Sequence, residues 1–293
     1  MEIRVLKYFL AVAREENISA AAESLHVTQP TLSRQLMDLE GEFGKKLFTR
    51  GNRRIVLTEE GMILRKRAEE IISLVDKTEA EIMKSDENIH GDVYIGGGET
   101  EGIRLIAQTA KQLNDEGYNI KYHIFSGNSV DVSERLDKGL LDFGIFVEGA
   151  NLQKYNSIRL PYTDTWGILM RKDSPLAKKK NISPEDLWNV PLITSQQSDR
   201  NNELSGWIKC DKSQLKIVAT YNLLYNASLM VEEGIGYALC IDKLIKTQEG
   251  GPLCFRPLKP KCTAKLDVAW KRYQVFSNPA ELFLKKLQEN FLK

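Results

Sequence analysis

The sequence predicts an α/β chain in three parts: a small helical unit, one long connecting helix, and a larger region built from alternating strands and helices. Three observations predict it. Apolar residues recur at helical spacing through residues 1–43 and again through 64–82. After Gly91 the pattern changes to short β-branched runs that alternate with amphipathic stretches. At 293 residues the chain has room for a small domain followed by a larger one of two lobes.

The N-terminal elements follow in order. Ile3, Leu6, Phe9, Leu10 and Ala13 fall on one helical face, so YFLAVA, which looks like a short signal core, reads as part of a first helix, and the chain as cytoplasmic. Ser19 is an expected N-cap for a second helix carrying Ala20, Ala21, Ala22 and Leu25. After the turn His26-Val27, Thr28 caps a third helix with Pro30 in its first turn, where a missing N–H costs nothing. Leu32, Leu36, Leu39 and Phe43 form that helix's expected buried stripe. Its other face carries Gln29, Pro30, Ser33, Arg34 and Met37.

A helix with that outer face fits a major groove: Arg34 and Gln29 can read base edges, and Ser33 can touch phosphate. Residues 43–58 contain Lys45, Lys46, Arg50, Arg53 and Arg54 and no acid. Five cations beside a reading helix supply phosphate attraction. A helical hairpin with a solvated basic loop would read the same residues without DNA. The ordered succession of capped helix, turn, second helix and basic segment favours the duplex.

Thr58 can cap the connecting helix, with Glu59 and Glu60 at the positive end of its dipole. Leu64, Ala68, Ile71, Val75, Thr78 and Ile82 then alternate at steps of four and three, a heptad seam that predicts pairing with a second helix. On this reading Leu64, Ala68, Ile71 and Val75 are dimerisation contacts. The competing reading packs the seam against the chain's own domain. Residues 85–91 are polar, end in Gly, and read as a hinge.

Beyond the hinge, DVYIGGG, NIKYHIF and LLDFGIFV read as strands, with helices over 100–113 and about 128–138. The alternation repeats with WGILMR, PLITS, LKIVATY and YALCI, and Ser183-Pro184-Glu185-Asp186 starts a helix. DVAWKR and an amphipathic helix over 278–292 close the chain. Two such lobes imply a cleft, and ligands of open α/β sheets bind at the carboxyl ends of strands. The strand-to-helix junctions at Gly98-Glu99-Thr100, Ser126-Gly127-Asn128-Ser129, Thr194-Ser195-Gln196 and Asn222 are the candidates. Glu99, Glu101 and Glu148 would repel an anion there, so a zwitterionic or amine-bearing ligand suits these ends better.

The run SAAAESLHVTQPTLSRQLMDLEGEFGKKLFTR, followed by Arg53, Arg54 and LTEEG, resembles the N-terminal winged helix-turn-helix of the LysR-type transcriptional regulators. The motif places small residues on the first helix of the pair, TQP-x-LS at the start of the second, and LF-x-R before LT-x-x-G. The similarity is strong over about residues 1–88; beyond them it rests on length and the order of elements. The resemblance implies a DNA-binding domain at 1–58, a linker and dimerisation helix at 59–88, and an effector domain at 89–293 like a type 2 periplasmic binding protein. Lobe one would take about 91–161 plus 269–293, and lobe two about 162–268. It implies Gln29, Pro30, Ser33 and Arg34 at the groove, and Arg50 and Arg53 near phosphates. An effector would lie near Thr100, Asn128, Thr194 and Ser195. The partners it implies are a double-stranded DNA operator, a small-molecule effector, a second copy of the chain in a homodimer or tetramer, and RNA polymerase.

Other classes are less favoured. The net charge is +1, so attraction to DNA must come from a local patch. No apolar run approaches the roughly 18 residues of a membrane span. Cys210, Cys240, Cys254 and Cys262 form no CxxC pair, and His26, His90 and His123 form no constellation, so neither a metal nor a cofactor is expected. Redox sensing by Cys254 with Cys262 is the lesser reading against inert packing thiols. No P-loop or G-x-S-x-G appears, and Gly96-Gly97-Gly98 lacks the spacing of a dinucleotide fingerprint, so no catalytic residue is assigned. The alternative is a solute-binding protein or enzyme carrying an unrelated helical domain.

Overall fold

The computed structural model describes residues 1–50, 54–82, 89–147, 150–196, 204, 206–207, 215–247 and 250–292, without the side chains of Arg50, Ala80 and Glu81. Expectations resting on Arg53, Glu148, Cys210, the Arg50 side chain and most of the hinge fall outside them. The chain divides into two compact units, Met1–Lys84 and Ser85–Lys293.

The first unit opens with α1 (Ile3–Glu15), α2 (Ile18–Ser24) and α3 (Gln29–Phe43). The buried face of α1 is Val5, Leu6, Phe9, Ala11 and Val12, and Ile3 is exposed, so the face is turned from the expected one. Asn17, not Ser19, caps α2: its Oδ1 accepts the Ser19 N–H at 2.8 Å and the Ala20 N–H at 3.1 Å. Thr28 caps α3, accepting from the Thr31 N–H, and Gly44 ends the helix at φ +62°. Leu32, Leu36 and Leu39 are buried as their spacing predicts, but Phe43 stays exposed, because the helix ends there with nothing laid over it.

Strands β1 (Phe48–Arg50) and β2 (Ile55–Leu57) pair antiparallel, Phe48 opposite Leu57, and form the wing. Phe9 and Phe48 bring their rings to 5.0 Å, tying the wing to α1. The connecting helix α4 (Glu59–Ile82) starts under the Thr58 cap, whose Oγ1 accepts the Gly61 N–H at 3.0 Å. Gly61 is required there, since a Cβ would meet the Leu47 carbonyl oxygen at 2.1 Å.

The heptad seam turns inward. Ala68 is fully buried in one cluster with Leu6, Phe9, Val12, Leu32 and Leu39, and Leu64, Ile71 and Ile72 pack against that cluster. Ala68 is thus a core residue of its own unit, and Leu64 and Ile71 are half-buried against that core. Val75 is half-buried beyond that cluster. The exposed large apolar residues of α4 are Met62, Ile63, Leu74 and Ile82, of which Ile63 and Leu74 lie on one face away from Ala68.

In the second unit, β3 (His90–Gly97) lies parallel to β4 (Asn119–Ser126) and β5 (Phe143–Val147), with α5 (Ile103–Asp115) and α6 (Ser129–Asp137) as crossovers. The helix expected from Thr100 starts three residues later, after a turn. Strand β6 (Tyr155–Arg171) is 17 residues long, where the sequence shows only its WGILMR end. It runs from the first lobe into the second. Ser183-Pro184-Glu185-Asp186 starts only a short 3₁₀ turn, Pro184–Leu187, closed by a Ser183–Asp186 capping box.

The second lobe holds β7 (Pro191–Ser195), β8 (Lys216–Tyr221), α7 (Leu224–Glu232), β9 (Tyr237–Ile241) and β10 (Leu253–Pro257). Strand β11 (Thr263–Lys271) returns to the first lobe, and α8 (Asn278–Phe291) packs there. The strand order is β4-β3-β5-β11-β6-β9-β7-β8, with β10 also on β6. Separate cores mark the lobes: Leu160, Leu266 and Val268 belong to one, Trp166, Cys262 and Ala264 to the other. The chain thus crosses between lobes twice, between Leu160 and Trp166 and between Ala264 and Leu266.

Candidate nucleic-acid interface and ligand cleft

Helix α3 presents Gln29, Pro30, Arg34 and Met37 to solvent, with Ser33 half-buried beside them. Arg34 has no ion pair among the described residues. The basic segment is less free than its sequence implies, because acids distant in sequence fold onto it. Lys46 pairs with Glu40 at 2.7 Å, Lys45 with Glu60 at 3.5 Å and Arg54 with Glu16 at 3.1 Å.

Glu40 has a structural task. Its Oε1 accepts the Leu47 and Phe48 N–H groups at 2.9 and 3.3 Å, so it anchors the start of the wing. Burial pushes its carboxyl up, but the Lys46 and backbone hydrogen bonds outweigh that and hold it below its ordinary value. The Lys45 and Arg54 pairs are exposed and worth little. Phosphates can replace those acids at small cost.

In the second unit, the carboxyl ends of β3 and β4 face α7 and the loop after β9 across a cavity of about 370 Å³. Its floor is Gly96, Gly97 and Gly98; its walls are mainly Ile95, Ile103, Ile124, Ile145, Leu244, Ile245 and the Tyr225 ring, with Glu99, Thr100 and Ser126 as the polar groups. Gly102 lets the β3–α5 turn approach β11, since a Cβ there would sit 2.1 Å from Leu266 Cδ1.

Of the four expected effector residues, Thr100 alone lines this cavity. Asn128 caps α6, its Oδ1 accepting the Val130 and Asp131 N–H groups at 2.9 and 3.0 Å. Thr194 is buried within β7 opposite Thr220, with Ser195 next along the strand, and neither lines the cavity. The sequence reading missed Tyr225, Leu244 and Ile245, which carry no polar signal. A second cavity of about 590 Å³ lies within the second lobe against β6, β9 and β10.

Thr100 is committed already. Its hydroxyl donates to Asp164 Oδ2 at 2.7 Å and accepts the Gly102 N–H at 3.0 Å. Asp164 is fully buried at the lobe junction, and its Oδ1 has no hydrogen-bond partner among the described residues. Burial pushes the Asp164 carboxyl up to about 6, and nearby Asp242 adds to this, while Thr100, Tyr162 and Lys243 oppose it. The folded carboxyl keeps its proton to about pH 6, whereas the unfolded chain releases it near 4. Ionisation thus penalises the fold, and stability is lost as pH rises through that window. Asp164→Asn is expected to flatten this loss, by up to about 3 kcal/mol. Denaturant titrations of both proteins at pH 4 and pH 7, which bracket the window, check it, and parallel pH profiles would refute it.

Cys240, Cys254 and Cys262 are buried and form no disulfide among the described residues, and burial pushes Cys240 up to about 12, which suppresses its thiolate. Among the described residues no three potential metal ligands cluster, and no helix is long and apolar enough to cross a membrane.

Comparison with known proteins covers both units. Residues 3–62 match the bacterial regulatory helix-turn-helix protein profile of the lysR family, and residues 86–292 match the LysR substrate binding domain. The HTH-type transcriptional regulator CysL of Bacillus subtilis is 31% identical over 199 residues, 68% of this chain and 66% of that relative. The first relatives matched are thus spanned over about two thirds of their length or slightly less. The Hca operon transcriptional activator HcaR of Escherichia coli is 24% identical over 278 residues, 93% of this chain and 92% of HcaR. Among solved structures, full-length CbnR complexed with its target DNA shares the fold at a TM-score of 0.72, with 18% identity and 99% of each chain covered.

Proposed function

This chain belongs to the LysR family of bacterial regulatory helix-turn-helix proteins, and on that premise we propose that it is a sequence-specific DNA-binding transcriptional regulator controlled by a small molecule in the cleft of its second unit. The observation that carries the DNA half is the outer face of α3, where Arg34 stands exposed without an ion pair among the described residues. Gln29 and Pro30 flank it at the helix start and Ser33 sits beside it, while the cations Arg50, Arg53 and Arg54 of the basic segment that follows α3 attract phosphates. The curated relatives, named as transcriptional regulators and activators, support this reading over an enzyme.

The protein acts as a homo-oligomer on a two-fold operator, since one reading helix covers only half of such a site. With Leu64, Ala68 and Ile71 facing inward, the pairing contacts fall to the other side of α4, at Ile63 and Leu74. RNA polymerase is the further partner where the outcome is activation. A ligand in the cleft regulates only if it binds two arrangements unequally, and a coupling of roughly 1–3 kcal/mol would change operator affinity about 5–150-fold.

Arg34→Ala tests the reading. It is expected to cost about 1–3 kcal/mol of operator affinity and to relax discrimination at the base it contacts. Titration with operator and with unrelated duplex at two salt concentrations measures both. A loss equal on every sequence, with a reduced salt slope, would make Arg34 a phosphate contact instead.

A further inference from the structure

The amino end of α7 lacks a cap of its own. Leu223 occupies the N-cap position and offers no side-chain acceptor, and Asn222 spends its Oδ1 on the Leu223 N–H at 2.9 Å. The Leu224 N–H is instead taken by Glu99 Oε2, from the first lobe, 125 residues earlier in the chain. A free helix N-terminus beside a cavity would be the place to seat a ligand's carboxylate. Here a carboxylate of the protein already occupies it.

Two further donors at the cavity are committed as well. The Thr100 hydroxyl goes to Asp164, and Lys243, the cation next to the lining residue Leu244, lies 3.6 Å from Asp242 and 3.3 Å from the Tyr162 hydroxyl. Among the described lining residues there is no Lys, Arg or His, and Glu99 is the one charged group. Of the other acids that the sequence places at these strand ends, Glu101 turns to Arg104 at 2.6 Å. The cavity is therefore apolar with a single negative charge set at the contact between the lobes. A second carboxylate brought there would meet Glu99 at short range, in surroundings that screen poorly. An ammonium would meet an attractive partner, and the isoleucine walls and the Tyr225 ring would cover an apolar body.

We propose that Glu99 serves as a built-in anion that caps α7 across the lobes, and that the cleft consequently selects an apolar organic amine over the corresponding carboxylate. The proposal rests on the reading of this cleft as the ligand site. Binding of the amine recruits the Glu99 carboxylate, so the ligand acts on the bond that joins the two lobes.

Calorimetric titration of the full-length protein with hexylamine, benzylamine and 2-phenylethylamine, each against hexanoate, benzoate and 3-phenylpropanoate, tests this. The wild type is expected to bind at least one amine tenfold or more tightly than its carboxylate counterpart. Glu99→Gln keeps an acceptor for the Leu224 N–H and removes the charge, and is expected to lower amine affinity at least tenfold. Glu99→Ala frees the α7 terminus and is expected to gain carboxylate binding. Carboxylates binding the wild type as well as the amines do, or amine binding unchanged by Glu99→Gln, would overturn the amine preference and leave the cleft as the ligand site. Failure of both series to bind any of the three proteins would overturn the cleft reading together with the preference.

Discussion

Replacing Ala68 with Glu is expected to unfold the N-terminal unit while leaving the second unit folded. Ala68 is completely enclosed among Leu6, Phe9, Val12, Leu32 and Leu39. Glu would add volume where none is free and bring a charge with no partner, a combination that costs about 4 kcal/mol or more. The four tryptophans, Trp166, Trp188, Trp207 and Trp270, all lie in the second unit, so two probes separate the outcomes. Far-UV circular dichroism should show an early loss of helix, and tryptophan fluorescence should keep its native midpoint. Operator binding should vanish with the helical signal. If instead the variant keeps its helix content and loses only its oligomeric state, α4 pairs through Ala68 and the inward packing is wrong.

Phe143→Ala is expected to cost the second unit about 3–5 kcal/mol, the range for deleting a fully enclosed aromatic ring. Phe143 begins β5 opposite Ile95, and its ring lies 5.3 Å from Phe276, 5.4 Å from Phe283 and 6.4 Å from Trp270. It joins the strand that feeds the cleft to the C-terminal helix α8. Urea unfolding followed by tryptophan fluorescence measures the loss, with Trp270 reporting from beside the cavity left behind. A loss under about 1 kcal/mol would mean that the neighbouring rings close over the gap, and that α8 does not depend on this contact.

Several features were legible in order along the chain because they depend on neighbours three or four residues away. The Thr28 cap, Pro30 in the first turn, the Leu32, Leu36 and Leu39 stripe and the Thr58 cap are all of this kind. So are the strands with continuous apolar runs, such as LLDFGIFV and YALCI. Asn17 was missed because Ser19 offers an equally good cap two residues on, and only the helix start decides between them. The long β6 was missed because most of its first half alternates exposed with buried residues and contains Pro161. Glu99 could have been suspected from the other end of its bond: a helix starting at Leu224 without a capping residue needs an acceptor from elsewhere.

The sequence by itself determined the type of each long element, the winged helix-turn-helix at one end, the α/β alternation after it, and the residues that α3 turns outward. Tertiary structure alone decided what covers each apolar face and what answers each charge. A heptad seam states that one side of a helix is apolar, and the same spacing serves a second chain or the helix's own domain; α1 settled it by packing against Ala68. A run of five cations without an acid looks unopposed, yet Glu16, Glu40 and Glu60 reach three of them once the chain folds. The cleft follows the same rule. Its polar residues stand at strand ends that the sequence reveals, but whether a hydroxyl or a helix amide is free for a ligand depends on partners tens of residues away, Asp164 for Thr100 and Glu99 for α7. Local patterns arise from short-range sterics and hydrogen bonding, whereas partner choice arises from the packing of distant segments, which only the folded chain brings together.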